Sequence, residues 1–208
     1  MDFSLVKDPE WRERTVKCTT VARSLLRGFI HDYIAPEVRK GELLDAANEL
    51  GFFKGRRVPK DFDHTEQQLV ATIFAALFAP PEGDSALKRL QSRREEFKGT
   101  PANVALQLLD GARYAHLEVL SVKSGFGMKC RDLATGAELF LAESACSSHP
   151  EAADARLGAY IVPVPLKPLE GEVYIAIALL QDLKIAERVL ETIPADPRAL
   201  AVATLSAC

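Results

Sequence analysis

The densest group of polar side chains in the chain lies between residues 61 and 66. Asp61, Asp63 and His64 place two carboxylates and an imidazole within four residues, and Glu66 follows closely. Such a group could bind a divalent metal ion or divide acid and base roles between its members. The same residues also suit the start of a helix, because Asp63 can act as the N-cap and Glu66 can close a capping box. We favour this structural interpretation, since it gives these residues local roles.

The cysteines offer a second candidate site. Cys146 and His149 are separated by two residues, a spacing that zinc ligands use, and Cys130 could add a third soft ligand. A structural zinc site needs four ligands, usually in closely spaced pairs, and Cys130 has no neighbouring partner. Cys130 also falls within a predicted strand, where a free cysteine is typically a small core residue. We therefore predict no metal ion at these residues.

Nucleophilic catalysis is the other chemistry that a cysteine and a histidine could perform. Cys146 is the best candidate nucleophile, because it lies in a segment with a loop-like composition that we expect to be exposed. Its reactivity would require a lowered thiol pKa, which a sequence does not show. His31 and Asp32 could form an acid–base pair, but adjacent helical residues point about 100° apart. We expect instead that His31 interacts with the dipole at the end of the first helix.

Two basic stretches could contact a phosphate backbone. Acidic residues border both, because Asp61 and Asp63 follow the first stretch and Glu95 and Glu96 follow the second. Aromatic residues that could stack on bases are sparse in the β-rich segment, so we favour solvated charged surfaces. The basic residues are Lys54, Arg56, Arg57 and Lys60 in the first stretch and Lys88, Arg89, Arg93 and Arg94 in the second. The aromatic residues are Phe126, Phe140, Tyr160 and Tyr174.

Common catalytic motifs are missing from the sequence. The glycines of Gly125-Phe126-Gly127 lie between two predicted strands, so no helix N-terminus follows them to bind phosphate. We find no nucleophile elbow, paired-histidine zinc helix or calcium loop. The sequence therefore predicts no catalytic residue, no metal ligand and no cofactor.

Composition describes an ordinary globular protein. Of the 208 residues, 48% are hydrophobic and 26% are charged, and the net charge of −3 argues against a strongly basic nucleic-acid binder. The four cysteines show no repeated spacing, which favours free thiols in a reducing compartment. No signal peptide or apolar run long enough to span a bilayer is evident, so we expect a cytoplasmic protein without a membrane partner.

Helices are predicted throughout the first half. Asp8-Pro9-Glu10 combines an N-cap, a proline at the first helical position and an acidic first turn. Apolar residues then recur at three- and four-residue spacing to about residue 34, and Pro36 is expected to break the helix. Further helices are predicted over residues 42–50, 64–78, 85–98 and 100–114.

The periodicity changes to alternation near residue 116, which indicates strands. Glycine-containing turns separate the first three, which predicts consecutive hairpins and an antiparallel meander. Which side of the first strand faces inward stays open, since Leu117 and Val119 compete with Leu120 and Val122. Strands are predicted over residues 116–123, 128–133, 138–142, 158–164 and 172–180, with a loop over 144–154 and a closing helix over 182–192.

Helices followed by strands predict an α+β fold. We expect an N-terminal bundle of about five helices (residues 1–114) packed on a C-terminal antiparallel β-meander of about five strands with a closing helix (residues 115–208), as one compact unit. The favoured function is a non-catalytic interaction or binding protein, whose partner is another protein or a second copy of the chain. A metal-dependent or cysteine-dependent enzyme is the first alternative, and a nucleic-acid-binding protein using the stretches 54–60 and 88–94 is the second.

Overall fold

The computed structural model describes residues 6–52, 66–78, 83–166 and 173–182, together with Asp196, Arg198, Ala199 and Val202. Helices precede strands along the chain, so the fold is mixed helix and sheet as predicted. Three predictions lie outside the described residues. They are the helix cap at Asp63, the basic stretch 54–60, and the closing helix, whose predicted first residue, Asp182, is instead the last residue of a strand.

The first helix begins at its predicted cap. The Asp8 carboxylate accepts from the amide of Glu10 at 2.9 Å, and Gly51 ends its helix with a φ of 74°. The helix predicted over residues 85–98 is shorter, because a 3-10 turn at Arg94–Phe97 replaces its second half. The α-helices are α1 (Pro9–Phe29), α2 (Ala35–Glu37), α3 (Lys40–Glu49), α4 (Glu66–Leu77), α5 (Ala86–Ser92), α6 (Pro101–Asp110) and α7 (Ser144–Ser147).

None of the helices within the described ranges is both long and apolar enough to cross a membrane.

The predicted helical bundle is formed only in part. Helix α3 packs on α4, α4 on α5, and α1 on α6, but α1 also packs against the fifth strand. The predicted loop over residues 144–154 contains α7 and a 3-10 turn at Pro150–Ala152.

The first helix passes Pro36 instead of stopping before it. Helix α1 continues into a π-helical turn at Ile30–Ile34 and then into α2, which contains Pro36 in its first turn. The amide of Ala35 donates to the carbonyl of Ile30, five residues back. Because proline clashes with the carbonyl four residues before it, a wider turn at this position relieves the conflict. The prediction of a break at Pro36 is therefore wrong.

The five strands found in the described ranges form a closed barrel and not an open antiparallel meander. Their order is β1-β2-β3-β5-β4, and β4 pairs with β1 to close the ring. Only the first three strands follow the predicted hairpin order, and β3 pairs with β5 in parallel. Placing β4 beside β1 makes a Greek key, and closure gives each of the described strands two neighbours. The strands are β1 (Arg113–Lys123), β2 (Gly127–Asp132), β3 (Glu138–Leu141), β4 (Arg156–Pro163) and β5 (Val173–Asp182).

A β-bulge in β1 explains why alternation alone did not define its inner face. The register between β1 and β2 shifts between Val119 and Ser121. Before the bulge Leu117 and Val119 point into the barrel, and after it Val122 packs against the same interior. The extra residue, Leu120, reverses the alternation. Each of the two candidate inner faces is therefore partly correct: Leu117 and Val119 face inward from one, and Val122 from the other.

Among the described residues, two clusters of buried apolar side chains make up the core. One fills the barrel, and the other joins the helices to the outer face of the barrel through residues such as Trp11, Phe74, Phe140 and Tyr160. The barrel cluster comprises Ala115, Leu117, Val119, Met128, Cys130, Leu139, Leu141, Ala152, Ala155, Leu157, Ala159 and Ile161.

Candidate functional site

The polar group at residues 61–66 lies almost wholly outside the described residues. Glu66 is the first residue of α4, and Asp61, Asp63 and His64 precede the described segment. Among the residues that the structure describes, no three His, Cys, Asp or Glu side chains are placed to hold a metal ion. Both interpretations of this group stay predictions.

Cys130 is a core residue of the barrel, as its position in a strand predicted. Its side chain is fully buried, and burial raises the pKa of the thiol to about 12. A thiol with so high a pKa is protonated at neutral pH, so it is poorly suited to act as a nucleophile or to bind a metal ion.

Cys146 and His149 lie at α7, between β3 and β4. Burial, together with the nearby carboxylate of Glu143, raises the pKa of the Cys146 thiol. This is the direction opposite to the one that activates a cysteine nucleophile. The His149 side chain is exposed, and its backbone amide donates to the carbonyl of Cys146 at 3.1 Å. Cys146 itself packs against the barrel cluster.

His31 and Asp32 contact each other, contrary to prediction. The imidazole Nδ1 lies 2.7 Å from the Asp32 carboxylate, and the two side chains are 87% and 64% exposed. Both residues belong to the π-helical turn, and since the helix continues into α2, His31 is not at a helix end. The 100° separation expected of adjacent residues assumes an α-helix whose side chains do not bend towards each other.

The second basic stretch is largely neutralised by carboxylates. Arg89 binds both oxygens of Glu42, at 2.8 and 2.9 Å, and this ion pair is mostly buried. Burial alone would raise the pKa of Glu42, but the hydrogen bond and charge of Arg89 hold it below its ordinary value. The other ion pairs of this stretch are Lys88 with Asp84, Arg93 with Glu37, and Arg94 with Asp110. Through the pairs of Arg89, Arg93 and Arg94, the stretch is joined to other helices.

The aromatic residues near the first hairpin are covered by α1. The indole of Trp11 meets the rings of Phe126 and Phe140 edge-on, with centroids 6.0 and 5.9 Å away, and Arg12 lies over Phe126. Small Greek-key barrels that bind oligonucleotides use the face of their second and third strands. Here Phe126 and Phe140 are buried on that side, so they offer no stacking surface to a base.

An ion pair that the sequence did not reveal joins β1 to β2. Arg113, at the start of β1, lies 2.5 Å from the buried carboxylate of Asp132, at the end of β2. Asp132 also accepts from the amide of Ala134 at 2.9 Å. Burial would raise the pKa of Asp132, but the Ala134 amide and the Arg113 guanidinium together hold it below its ordinary value. Burial also lowers the pKa of the nearby His116, although Asp132 acts in the opposite direction.

An apolar groove of about 410 Å³ lies between α1, α4 and β5, and we call it the α1–α4–β5 groove. Apolar side chains from all three elements line it, and basic side chains stand along the α1 side. The residues that line it are Arg23, Leu26, Arg27, Ile30, His31, Ala35, Thr72, Ile73, Ala176 and Ile177.

The basic residues of the groove follow each other at four-residue spacing, which places Arg23, Arg27 and His31 along one side of the helix. Arg23 is held by Glu143 at 3.0 Å and by the carbonyl of Ala142. Arg27 is exposed and forms no ion pair with any other residue in the described ranges. The groove thus carries a guanidinium that no carboxylate among these residues neutralises.

Sequence reasoning missed this groove because its walls come from distant segments. The apolar spacing of α1 predicts a buried stripe, and Arg27 lies off that stripe. Nothing in the sequence indicates that β5 lies beside α1.

Comparison of the chain with protein-family models, with curated proteins and with solved structures gave no match.

Proposed function

We propose that this chain is a non-catalytic binding protein and that the α1–α4–β5 groove is its binding site. The groove is the observation that carries the proposal. Its volume of about 410 Å³ falls within the range of roughly 300–1,000 Å³ that is typical of ligand sites. Its lining is mainly apolar with a few polar groups at one side, which is also typical of such sites.

The state of the candidate catalytic groups supports a non-catalytic role over the enzyme alternative. The pKa values of Cys130 and Cys146 are both raised, so neither thiol is activated. The nucleic-acid alternative is weakened by the ion pairs of the second basic stretch and by the burial of Phe126 and Phe140. Binding through the groove requires none of these groups.

The partner that we propose is another protein, which would place apolar side chains in the groove, with a second copy of this chain as the competing possibility. Recognition of an apolar segment in a groove between helices is a recurring mode of protein binding. We also propose a cytoplasmic location. The described cysteines Cys18, Cys130 and Cys146 are free thiols, which suits a reducing compartment.

A neutral fluorescent probe tests the groove. N-phenyl-1-naphthylamine fluoresces more strongly in apolar surroundings, and we expect saturable binding to the wild-type protein. Replacing Ile73 or Ile177 with glutamine should weaken that binding about fivefold, since each change removes on the order of 1 kcal/mol of apolar contact. Val16→Gln is the matched control, because Val16 is an apolar residue of α1 that is 52% exposed outside the groove. Equal affinities for Ile73→Gln, Ile177→Gln and Val16→Gln would overturn the proposal.

A further inference from the structure

The α1–α4–β5 groove has charge on one side only. Arg23, Arg27 and His31 stand on the α1 side, whereas Ile73 and Ile177 represent the apolar walls of α4 and β5. None of the described residues that line the groove is acidic. The occupant therefore meets basic side chains along one side and apolar surface along the others.

The three basic residues differ in their availability. Arg23 already binds Glu143 and the carbonyl of Ala142, so its guanidinium is held in place. The imidazole of His31 contacts Asp32. Arg27 is exposed and has no carboxylate partner among the described residues, so its guanidinium is the group available to a ligand. A planar guanidinium binds a carboxylate through two parallel hydrogen bonds.

Building on the proposed function, we propose that the occupant is a segment of a partner protein that sets an acidic side chain against Arg27. Its apolar side chains contact Ile30, Ile73 and Ile177. The exposure of Arg27 and His31 leaves the groove open along α1, so that a segment of a larger protein can lie in it. A groove of about 410 Å³ holds a few side chains, which suits a short segment.

Two dyes that share one apolar body separate this inference from the proposed function. 8-Anilino-1-naphthalenesulfonate carries an anionic sulfonate, and N-phenyl-1-naphthylamine lacks it. Arg27→Gln should weaken binding of the anionic dye about three- to fivefold, the effect of a partly exposed charge contact, and leave the neutral dye unchanged. Arg14→Gln is the matched control, since Arg14 is an exposed arginine of the same helix outside the groove.

The outcomes are distinct. If the neutral dye responds to Ile73→Gln but Arg27→Gln and Arg14→Gln affect the anionic dye equally, the groove binds apolar groups and the acidic preference is overturned. If neither dye responds to Ile73→Gln, the proposed function itself fails. A loss of both dyes in Arg27→Gln, with an unchanged circular dichroism spectrum, would also overturn the inference, because the effect would not depend on charge.

Peptides test the kind of occupant. Two synthetic amphipathic peptides with identical leucine positions, one with glutamate and one with lysine at the polar positions, would compete with the anionic dye. We expect the glutamate peptide to displace the dye at about tenfold lower concentration, and this preference should shrink in Arg27→Gln. Equal displacement by both peptides contradicts the proposal. So does a wild-type dimer in sedimentation equilibrium that Ile73→Gln dissociates, because the occupant would then be a second copy.

Discussion

The backbone of Gly127 lies directly against the ring of Phe140. A β-carbon at Gly127 would come within 2.6 Å of Phe140 Cζ and within 2.5 Å of the Leu141 carbonyl oxygen. The approach is close because the start of β2 pairs with β3 at this point. Trp11 contacts the same Phe140 ring. The lack of room for a β-carbon makes Gly127 intolerant of any side chain.

Gly127→Ala should therefore destabilise the protein by about 2 kcal/mol, the usual cost of overpacking a well-packed site. Gly41→Ala is the control, because a β-carbon at Gly41, in helix α3, meets nothing within 4 Å. That change should raise stability by about 0.5–1 kcal/mol, since alanine favours the helix. Urea unfolding of both variants measures the two effects, and a neutral result for Gly127→Ala would contradict the packing described.

The buried ion pair of Arg113 and Asp132 predicts a pH-dependent stability. The pKa of Asp132 is lowered below its ordinary 3.8 in the folded protein, so its contribution is fully present above that value. Stability should then fall as the pH drops below about 3.8, where the unfolded chain takes up a proton on this carboxyl, until Asp132 is protonated in the folded protein as well. Asp132→Asn should cost about 2 kcal/mol at pH 7 and flatten this acid dependence, as measured by urea unfolding between pH 3 and pH 7.

Asp110→Asn is the control for the acid dependence. Asp110 pairs with Arg94, and its side chain is 44% exposed, so its loss should cost no more than about 0.5 kcal/mol. The pKa of Glu42 is also lowered, so its ion pair with Arg89 should leave some acid dependence of stability in both variants. An unchanged pH profile in Asp132→Asn would show that this ion pair does not stabilise the fold.

The raised thiol pKa values predict low cysteine reactivity. At pH 8 Cys130, with a pKa of about 12 and no exposed surface, should react with iodoacetamide only when the protein unfolds. Cys146 should react slowly, because its pKa is raised as well. Peptide mapping by mass spectrometry, with the urea-unfolded protein as the reference, measures each rate. Rapid alkylation of Cys146 in the folded protein would revive the nucleophile interpretation.

The contacts of Trp11 predict that helices and barrel unfold together. Trp11 is fully buried between Phe126 and Phe140, so Trp11→Ala should destabilise the protein by about 3–5 kcal/mol. Circular dichroism should still show a single thermal transition at a lower temperature. A fragment that starts at Ala112 should not fold with the melting temperature of the whole chain. If it does, the prediction of one compact unit is wrong.

Local signals in the sequence were sufficient to place most elements. Asp8 and Gly51 are caps whose chemistry acts within a few residues, and the turn at Gly125 separates two alternating segments. Barrel closure depends instead on pairs such as Arg113 with Ile161, which no local pattern encodes. The bulge at Leu120 reverses the side-chain alternation, so periodicity could not define one inner face.

Less of the candidate site than of the fold could be predicted from the sequence. Arg27 and Ile177 belong to one groove only because β5 returns to α1. The partners of Arg89 and Arg93 in the second basic stretch, Glu42 and Glu37, lie far away in the sequence. The sequence predicted a solvated charged surface here, and it could not show that Arg89 is largely buried in an ion pair with Glu42.

The strand order has a consequence for folding during synthesis. Because β5 lies between β3 and β4, the ring stays open until Val173–Asp182 has left the ribosome. Until then β3 and β4 each present unpaired backbone amides and carbonyls, which attract other strands. The growing chain is thus prone to aggregation during this interval. When β5 forms, it pairs with β3 and β4 and covers both of these edges.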